Sequence, residues 1–99
     1  MIVIAGRVRI KPGLRAEALA LAREIATRSQ AEDGCLSYRF YADLADPDTF
    51  LVFEEWRDEA ALAAHFKTPH LLAFRQHLPR LLAAPPDIVK YIVSSTGRA

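Results

Sequence analysis

The stretch TFLVFEEWRDEAALAAH, residues 49–65, changes its hydrophobic periodicity once. Up to Trp56, apolar side chains alternate onto both faces, which is typical of a strand covered on both sides. After Asp58, a favourable N-cap residue, an alanine-rich run begins that favours a short helix reaching His65. The sequence therefore predicts a strand that passes into a helix through a two-residue connection.

Outward from this stretch, periods of two and of 3.6 residues alternate along the chain. Period two predicts three further strands, over residues 2–10, 35–42 and 87–95. Helical spacing predicts one helix that starts at Leu14 and stops before Gly34. A second helix is predicted to start at Pro69 and to be kinked or ended by Pro79. This order favours an α+β fold, with helices on one face of a four-stranded, mainly antiparallel sheet.

Composition is that of an ordinary globular chain, with 52% hydrophobic and 25% charged residues among 99. We expect a single domain over residues 1–99, with its core at about residues 2–94. Thirteen basic and twelve acidic residues leave a net charge of +1. The chain therefore lacks the basic surplus that nucleic-acid binding requires.

Three further absences narrow the class of protein. The only cysteine, Cys35, excludes a disulfide framework and a multi-cysteine metal site. The apolar runs are short and interrupted by charge, so we expect no membrane partner. Residues 1–6 have no charged n-region before their apolar stretch, which predicts a cytoplasmic rather than a secreted protein.

One face of the predicted sheet is too apolar to lie against solvent. Strand residues on the side away from the helices include Leu51, Phe53, Val89, Tyr91 and Val93. An apolar patch of that kind usually marks a protein interface. A second copy of a chain this small would supply the missing burial, so we expect a homodimer through the open sheet face.

Two segments carry a resemblance to a known family. They are AEDGCLSY at residues 31–38 and FEEWRDEAALAAH at residues 53–65, continuing through Thr68-Pro69-His70 to Phe74. The chain resembles the antibiotic biosynthesis monooxygenase family of small dimeric α+β barrel proteins, which includes quinol monooxygenases. The resemblance covers nearly all of residues 1–93 and implies a ferredoxin-like fold, with two sheets face to face in a dimer.

The resemblance also implies a chemistry. The better-understood oxygenases of this family use no metal, flavin or haem, because the deprotonated aromatic substrate itself reduces oxygen. This implies a monooxygenase that needs no cofactor and oxidises a quinol or another polyphenolic aromatic. A non-oxidative isomerase or hydrolytic step is a variant within the enzyme class. The alternative is a non-catalytic, dimeric ligand-binding or stress-associated protein of the same fold, since fold motifs persist after chemistry is lost.

His65 is the candidate catalytic residue. It ends the alanine-rich helix and matches the family's histidine after the tryptophan. A neutral imidazole is suited to accepting a phenolic proton. Alternatively, His65 only hydrogen-bonds a carbonyl at the helix end and shapes the turn.

The other two histidines, His70 and His77, share one side of a helix if residues 69–79 are continuous. His70 matches the family's Thr-Pro-His motif, as a substrate contact or as a support of the helix start, and His77 is expected to face solvent. We predict no metal site, because no cysteine or carboxylate completes a known ligand spacing. Haem-degrading relatives carry an asparagine on the first strand, where this chain has Ala5-Gly6-Arg7.

Aromatic residues are the candidate walls of a substrate pocket, although an ordinary core or interface position is the more frequent role for residues of this kind. They are Trp56, Phe66, Phe74 and Tyr38.

Three arginines lie on the predicted strands, at Arg7, Arg9 and Arg39. One of them could pair with an anionic substrate, but pairing with Glu54 or Glu55 is the simpler expectation.

Overall fold

The computed structural model describes residues 1–99 and contains four strands and three helices. The strands are β1 (Ile2–Arg9), β2 (Cys35–Ala42), β3 (Thr49–Trp56) and β4 (Asp87–Ile92). The helices are α1 (Arg15–Gln30), α2 (Glu59–His65) and α3 (Pro69–His77), and a single 3₁₀ turn follows at Pro79–Leu81. The prediction that Pro79 kinks or ends the helix that starts at Pro69 is confirmed, because α3 ends at His77.

All four strands pair antiparallel in the order β2-β3-β1-β4. The main core cluster joins β1, β2 and β3 to residues of all three helices, so the helices cover one face of the sheet. This is the ferredoxin-like α+β arrangement, and the predicted fold is confirmed. None of the helices has both the length and the apolar character needed to cross a membrane.

Side-chain caps define where the two short helices begin. The Asp58 carboxylate accepts a hydrogen bond from the Ala61 N–H at 2.8 Å, which starts α2. The Thr68 hydroxyl accepts from the Leu71 N–H at 3.3 Å and starts α3, with Pro69 at its first position. These caps place His65 at the end of α2 and His70 in the first turn of α3, on either side of a three-residue connection.

The turn between α1 and β2 lies against the start of α2. Gly34 has a φ of 82°, which favours glycine, and a Cβ at this position would collide with the side chain of Ala61. The Gly34 carbonyl accepts a hydrogen bond from the Arg57 N–H at 2.8 Å. This close approach holds Glu32, two residues before the glycine, near α2.

Strand β2 contains an irregularity that the alternating pattern did not predict. Cys35 pairs with Trp56 but Ser37 pairs with Glu55, so Leu36 is an extra, bulged residue. The alternating pattern predicted that Leu36 shares the buried face of Tyr38, but Leu36 is 57% exposed. The bulge keeps Cys35 half-buried and brings Tyr38 directly opposite Glu54.

The face of the sheet away from the helices is uncovered within the chain, as predicted. Phe53 and Val89 flank Ala5 in one row across β3, β1 and β4, and Val89 and Tyr91 are about half exposed. Strand β4 ends at Ile92 rather than at the predicted residue 95, because its partner β1 begins at Ile2.

Candidate active site

A cavity of about 560 Å³ lies between the helix-covered face of the sheet and α3. Most of its wall is apolar and includes Phe66, Leu71 and Phe74. The polar side chains in the wall are Tyr38, Glu54, His65, Arg75 and Lys90. An apolar cavity with a few converging polar groups is the usual form of a small-molecule site.

His65 is held at this cavity in one defined orientation. The residue is 1% exposed, and its Nδ1 lies 2.7 Å from Oε2 of Glu32. Because a carboxylate only accepts hydrogen bonds, Nδ1 carries the hydrogen and Nε2 is the free, basic nitrogen. His65 Nε2 accepts no hydrogen bond from another side chain, so this nitrogen is available to a bound molecule.

Glu32 also accepts a hydrogen bond from His70. The same carboxylate oxygen, Oε2, lies 2.7 Å from His70 Nε2. No carboxylate stands at a known ligand spacing from the histidines in the sequence, but the turn at Gly34 brings Glu32 to a histidine 33 residues away. The motif AEDGCLSY, which carried the family resemblance, was the only signal in the sequence that could have pointed to it.

Glu32, His65 and His70 also resemble a metal-ligand group, because their ligand-type nitrogen and oxygen atoms lie within 4.8 Å of one another. Their geometry is that of hydrogen bonds. Both nitrogen–oxygen distances are 2.7 Å, typical of N–H groups that donate to a carboxylate, and one oxygen serves both donors. We therefore assign Glu32 as the acceptor that orients both imidazoles.

Burial sets the charge state of His65. It lowers the pKa of the imidazole below its usual value, and the Glu32 carboxylate opposes this only in part by favouring the charged form. His65 is therefore neutral at pH 7, as a proton acceptor must be.

Glu54 has a buried carboxyl, for which the sequence predicted an ion pair with a strand arginine. The structure contradicts that pairing, because Glu54 lies on the helix-covered face of β3 and has no cation within ion-pair distance. Burial raises its pKa to about 7, and the hydrogen bond from the Trp56 Nε1 opposes the rise. That bond is 3.0 Å long.

The six residues predicted from the sequence fall into two groups. His65, Tyr38, Phe66 and Phe74 line the cavity together. Trp56 and His70 do not: Trp56 has no exposed surface and lies behind His65, and His70 lies on the far side of Glu32. Neither side chain lines the cavity wall, and substrate contact by these two residues stays a prediction.

The fold agrees with comparisons against known proteins. The sequence profile described as antibiotic biosynthesis monooxygenase matches residues 1–77. The chain belongs to this family. Over 95 residues the chain is 42% identical to "Uncharacterized protein sll1783" of Synechocystis, covering 96% of this chain and 65% of that longer relative.

Two further relatives of this chain carry monooxygenase names, and the structure of one of them is solved. "Putative monooxygenase Rv0793" of Mycobacterium tuberculosis is 34% identical over 84 residues, which are 85% of this chain and 82% of that one. Its solved structure superposes with a TM-score of 0.91 over 98% of both chains, at 28% identity. "Probable quinol monooxygenase YgiN" of Escherichia coli is 29% identical over 77% of this chain and 83% of its own.

Proposed function

We propose that the protein is a monooxygenase that needs no cofactor and uses molecular oxygen to oxidise a quinol or another polyphenolic aromatic. The observation that carries the proposal is the neutral His65, oriented by Glu32 so that its free Nε2 faces an apolar cavity. The family match supports monooxygenase chemistry, and the name of the YgiN relative supports a quinol.

In this function the cavity has three tasks. Aromatic walls at Phe66 and Phe74 hold a flat ring, and Tyr38 closes one side. His65 Nε2 accepts a hydroxyl proton, which leaves the electron pair on the substrate oxygen. The resulting anion is electron-rich enough to pass electrons to oxygen, and the apolar wall keeps water from the intermediate.

The test is oxygen uptake with a panel of hydroquinones. His65→Gln keeps a side chain that can hydrogen-bond to Glu32 but cannot act as a base near neutral pH. We expect its turnover to fall by about 10²–10⁴-fold, the usual contribution of a general base. His77→Gln is the matched control, since His77 is exposed on α3 and outside the cavity, and it should keep wild-type turnover.

Two results would contradict the proposal. Full activity in a folded His65→Gln variant would remove His65 from the mechanism. If the wild type binds aromatic ligands but consumes no oxygen with any hydroquinone, the protein is a ligand-binding member of the family instead.

The same proposal includes a homodimer formed through the open sheet face. Leu51, Phe53, Val89 and Tyr91 leave an apolar surface there. A stable interface of about 800 Å² per partner would cover it. Strand β4 favours this partner because its residues are exposed on both faces, with no helix of the same chain over them.

Sedimentation at micromolar concentration tests the dimer. We expect a species of twice the 11.0 kDa chain mass. Val89→Asp places a charge on the open face and should shift the protein toward monomer and lower its thermal stability. Leu72→Asp is the control, because Leu72 is similarly exposed, at 50% against 44%, but lies on α3. A wild type that sediments only as an 11.0 kDa species would remove the dimer from the proposal.

A further inference from the structure

The carboxyl of Glu54 shares the cavity with His65 but has no part in the chemistry described so far. It is 7% exposed, on the inner face of β3, where Glu54 pairs with Tyr38 of β2. Natural proteins seldom bury a carboxyl without a cation, because its charged form is costly in an apolar surrounding. Where they do so at a cavity, the group is a candidate for proton transfer.

We propose that Glu54 is a second catalytic residue, which accepts the second hydroxyl proton of a substrate that has two such groups. This rests on the proposed function and deepens it. Trp56 contacts both groups: its ring lies against the imidazole of His65, and its edge N–H donates to the carboxyl of Glu54. Two acceptors in one cavity wall fit a hydroquinone or catechol, whose two hydroxyl protons must both leave.

The reaction balances with oxygen as the oxidant. Both O–H bonds break, the protons pass to His65 and Glu54, and both electron pairs stay on the substrate. Oxygen then accepts four electrons from the substrate. The O–O bond breaks: one oxygen atom forms a bond to a ring carbon, and the other leaves as water with the two hydroxyl protons. The C–H bond at that ring carbon breaks, and its proton becomes the proton of the new ring hydroxyl. The products are a hydroxyquinone and water, and no other reductant is needed.

Several charged or titratable groups face the Glu54 carboxyl from the elements packed around it. They are Tyr38 on β2, Glu32 and Cys35 at or just before the start of β2, His65 on α2, Arg75 on α3 and Lys90 on β4. Arg75 favours the charged form of Glu54 and Glu32 opposes it, while Lys90 already pairs with Glu59 at 3.1 Å. With a pKa of about 7, Glu54 becomes a proton acceptor as the pH rises past neutrality.

The experiment is the pH dependence of kcat/KM for oxygen uptake with hydroquinone, from about pH 5 to pH 8, after subtraction of the uncatalysed rate. In the wild type we expect two ionisations on the acid side, one near pH 7 from Glu54 and one below pH 6.5 from His65. This measurement needs no variant. A single ionisation below pH 6.5 would overturn the assignment of Glu54.

Variants give the second test. Glu54→Gln can still accept the Trp56 hydrogen bond, and we expect it to lose the ionisation near pH 7 and about 10²–10⁴-fold in turnover. Glu54→Asp restores a carboxyl and should regain part of the activity together with that ionisation. Glu24→Gln, an exposed position on α1, controls for loss of one negative charge and should behave as wild type.

The outcomes separate this inference from the function on which it rests. If the wild type consumes no oxygen with any quinol, the proposed function and the role of Glu54 both fail. If the wild type is active and folded Glu54→Gln keeps its turnover and its ionisation near pH 7, only the role of Glu54 is overturned.

Discussion

The indole of Trp56 lies against the imidazole of His65, with ring centroids 4.5 Å apart and an angle of 36° between the rings. The indole Nε1 also donates to Glu54 at 3.0 Å. One side chain with no exposed surface therefore contacts both proposed proton acceptors of the cavity. We predict that Trp56 is a positioning residue of the site.

Trp56→Phe keeps a stacking ring but removes the N–H donor. A hydrogen bond to a carboxylate favours its charged form, so its loss should raise the pKa of Glu54 above about 7. We expect the upper acid-side ionisation of kcat/KM to move to higher pH. Tyr41→Phe, an exposed position on β2, serves as the control. An unchanged profile in folded Trp56→Phe would contradict this coupling.

Glu32→Gln tests the orientation of His65. The carboxylate favours the protonated imidazole through its hydrogen bond and its charge, so its loss should lower the pKa of His65 further and weaken the base. The substitution also replaces a group that only accepts hydrogen bonds with an amide that can donate as well, so the hydrogen of His65 is no longer confined to Nδ1. We expect kcat to fall by roughly 10²–10⁴-fold, with little change in KM. Asp33→Asn, at the exposed neighbouring position, should retain wild-type kcat.

The buried Glu54 should also give folding a distinctive pH dependence. Its pKa is about 7 in the folded state against 4.5 for an unperturbed glutamate, so between these values the folded state binds more protons than the unfolded state. The free energy of unfolding should therefore fall as the pH rises through this window, by roughly 3 kcal/mol at about 1.4 kcal/mol per pKa unit.

His65, whose pKa is lowered, contributes the opposite slope below pH 6.5. The comparison is therefore made between wild type and Glu54→Gln, by urea unfolding at several pH values. The stability advantage of the variant should grow between pH 4.5 and about 7 and then level off. A constant difference would mean that Glu54 titrates normally.

We predict that purified protein carries no stoichiometric metal, haem or flavin, and that oxygen uptake survives treatment with a chelator. The physical reason is that the closest group of donors, Glu32 with His65 and His70, is already joined by two hydrogen bonds. Elemental analysis and the visible absorption spectrum check this. One metal ion per chain, lost together with activity on chelation, would contradict it.

The sequence predicted more of the fold than of the site, for physical reasons. Periodicity and caps identify Thr49–Trp56 and the helix after Asp58, because these signals are local. The bulge at Leu36 depends on how two strands pair, which alternation within one strand does not show. Glu32 reaches His65 only because the chain turns between α1 and β2, which no local pattern shows. Glu54 was missed because an acidic residue in a strand is normally expected to face solvent, and its burial depends on which face of the sheet the helices cover.

The surroundings of Cys35, whose half-buried thiol lies beside the bulge, determine how readily that thiol is oxidised. Burial, with Glu32 and Glu54 nearby, raises the pKa of this thiol to about 11. At pH 7 only about one molecule in 10⁴ carries the thiolate, the form that peroxides attack. The only sulfhydryl group of the chain is thus held in its inert, protonated form, and the nearby carboxyls of Glu32 and Glu54 add to this protection from oxidation.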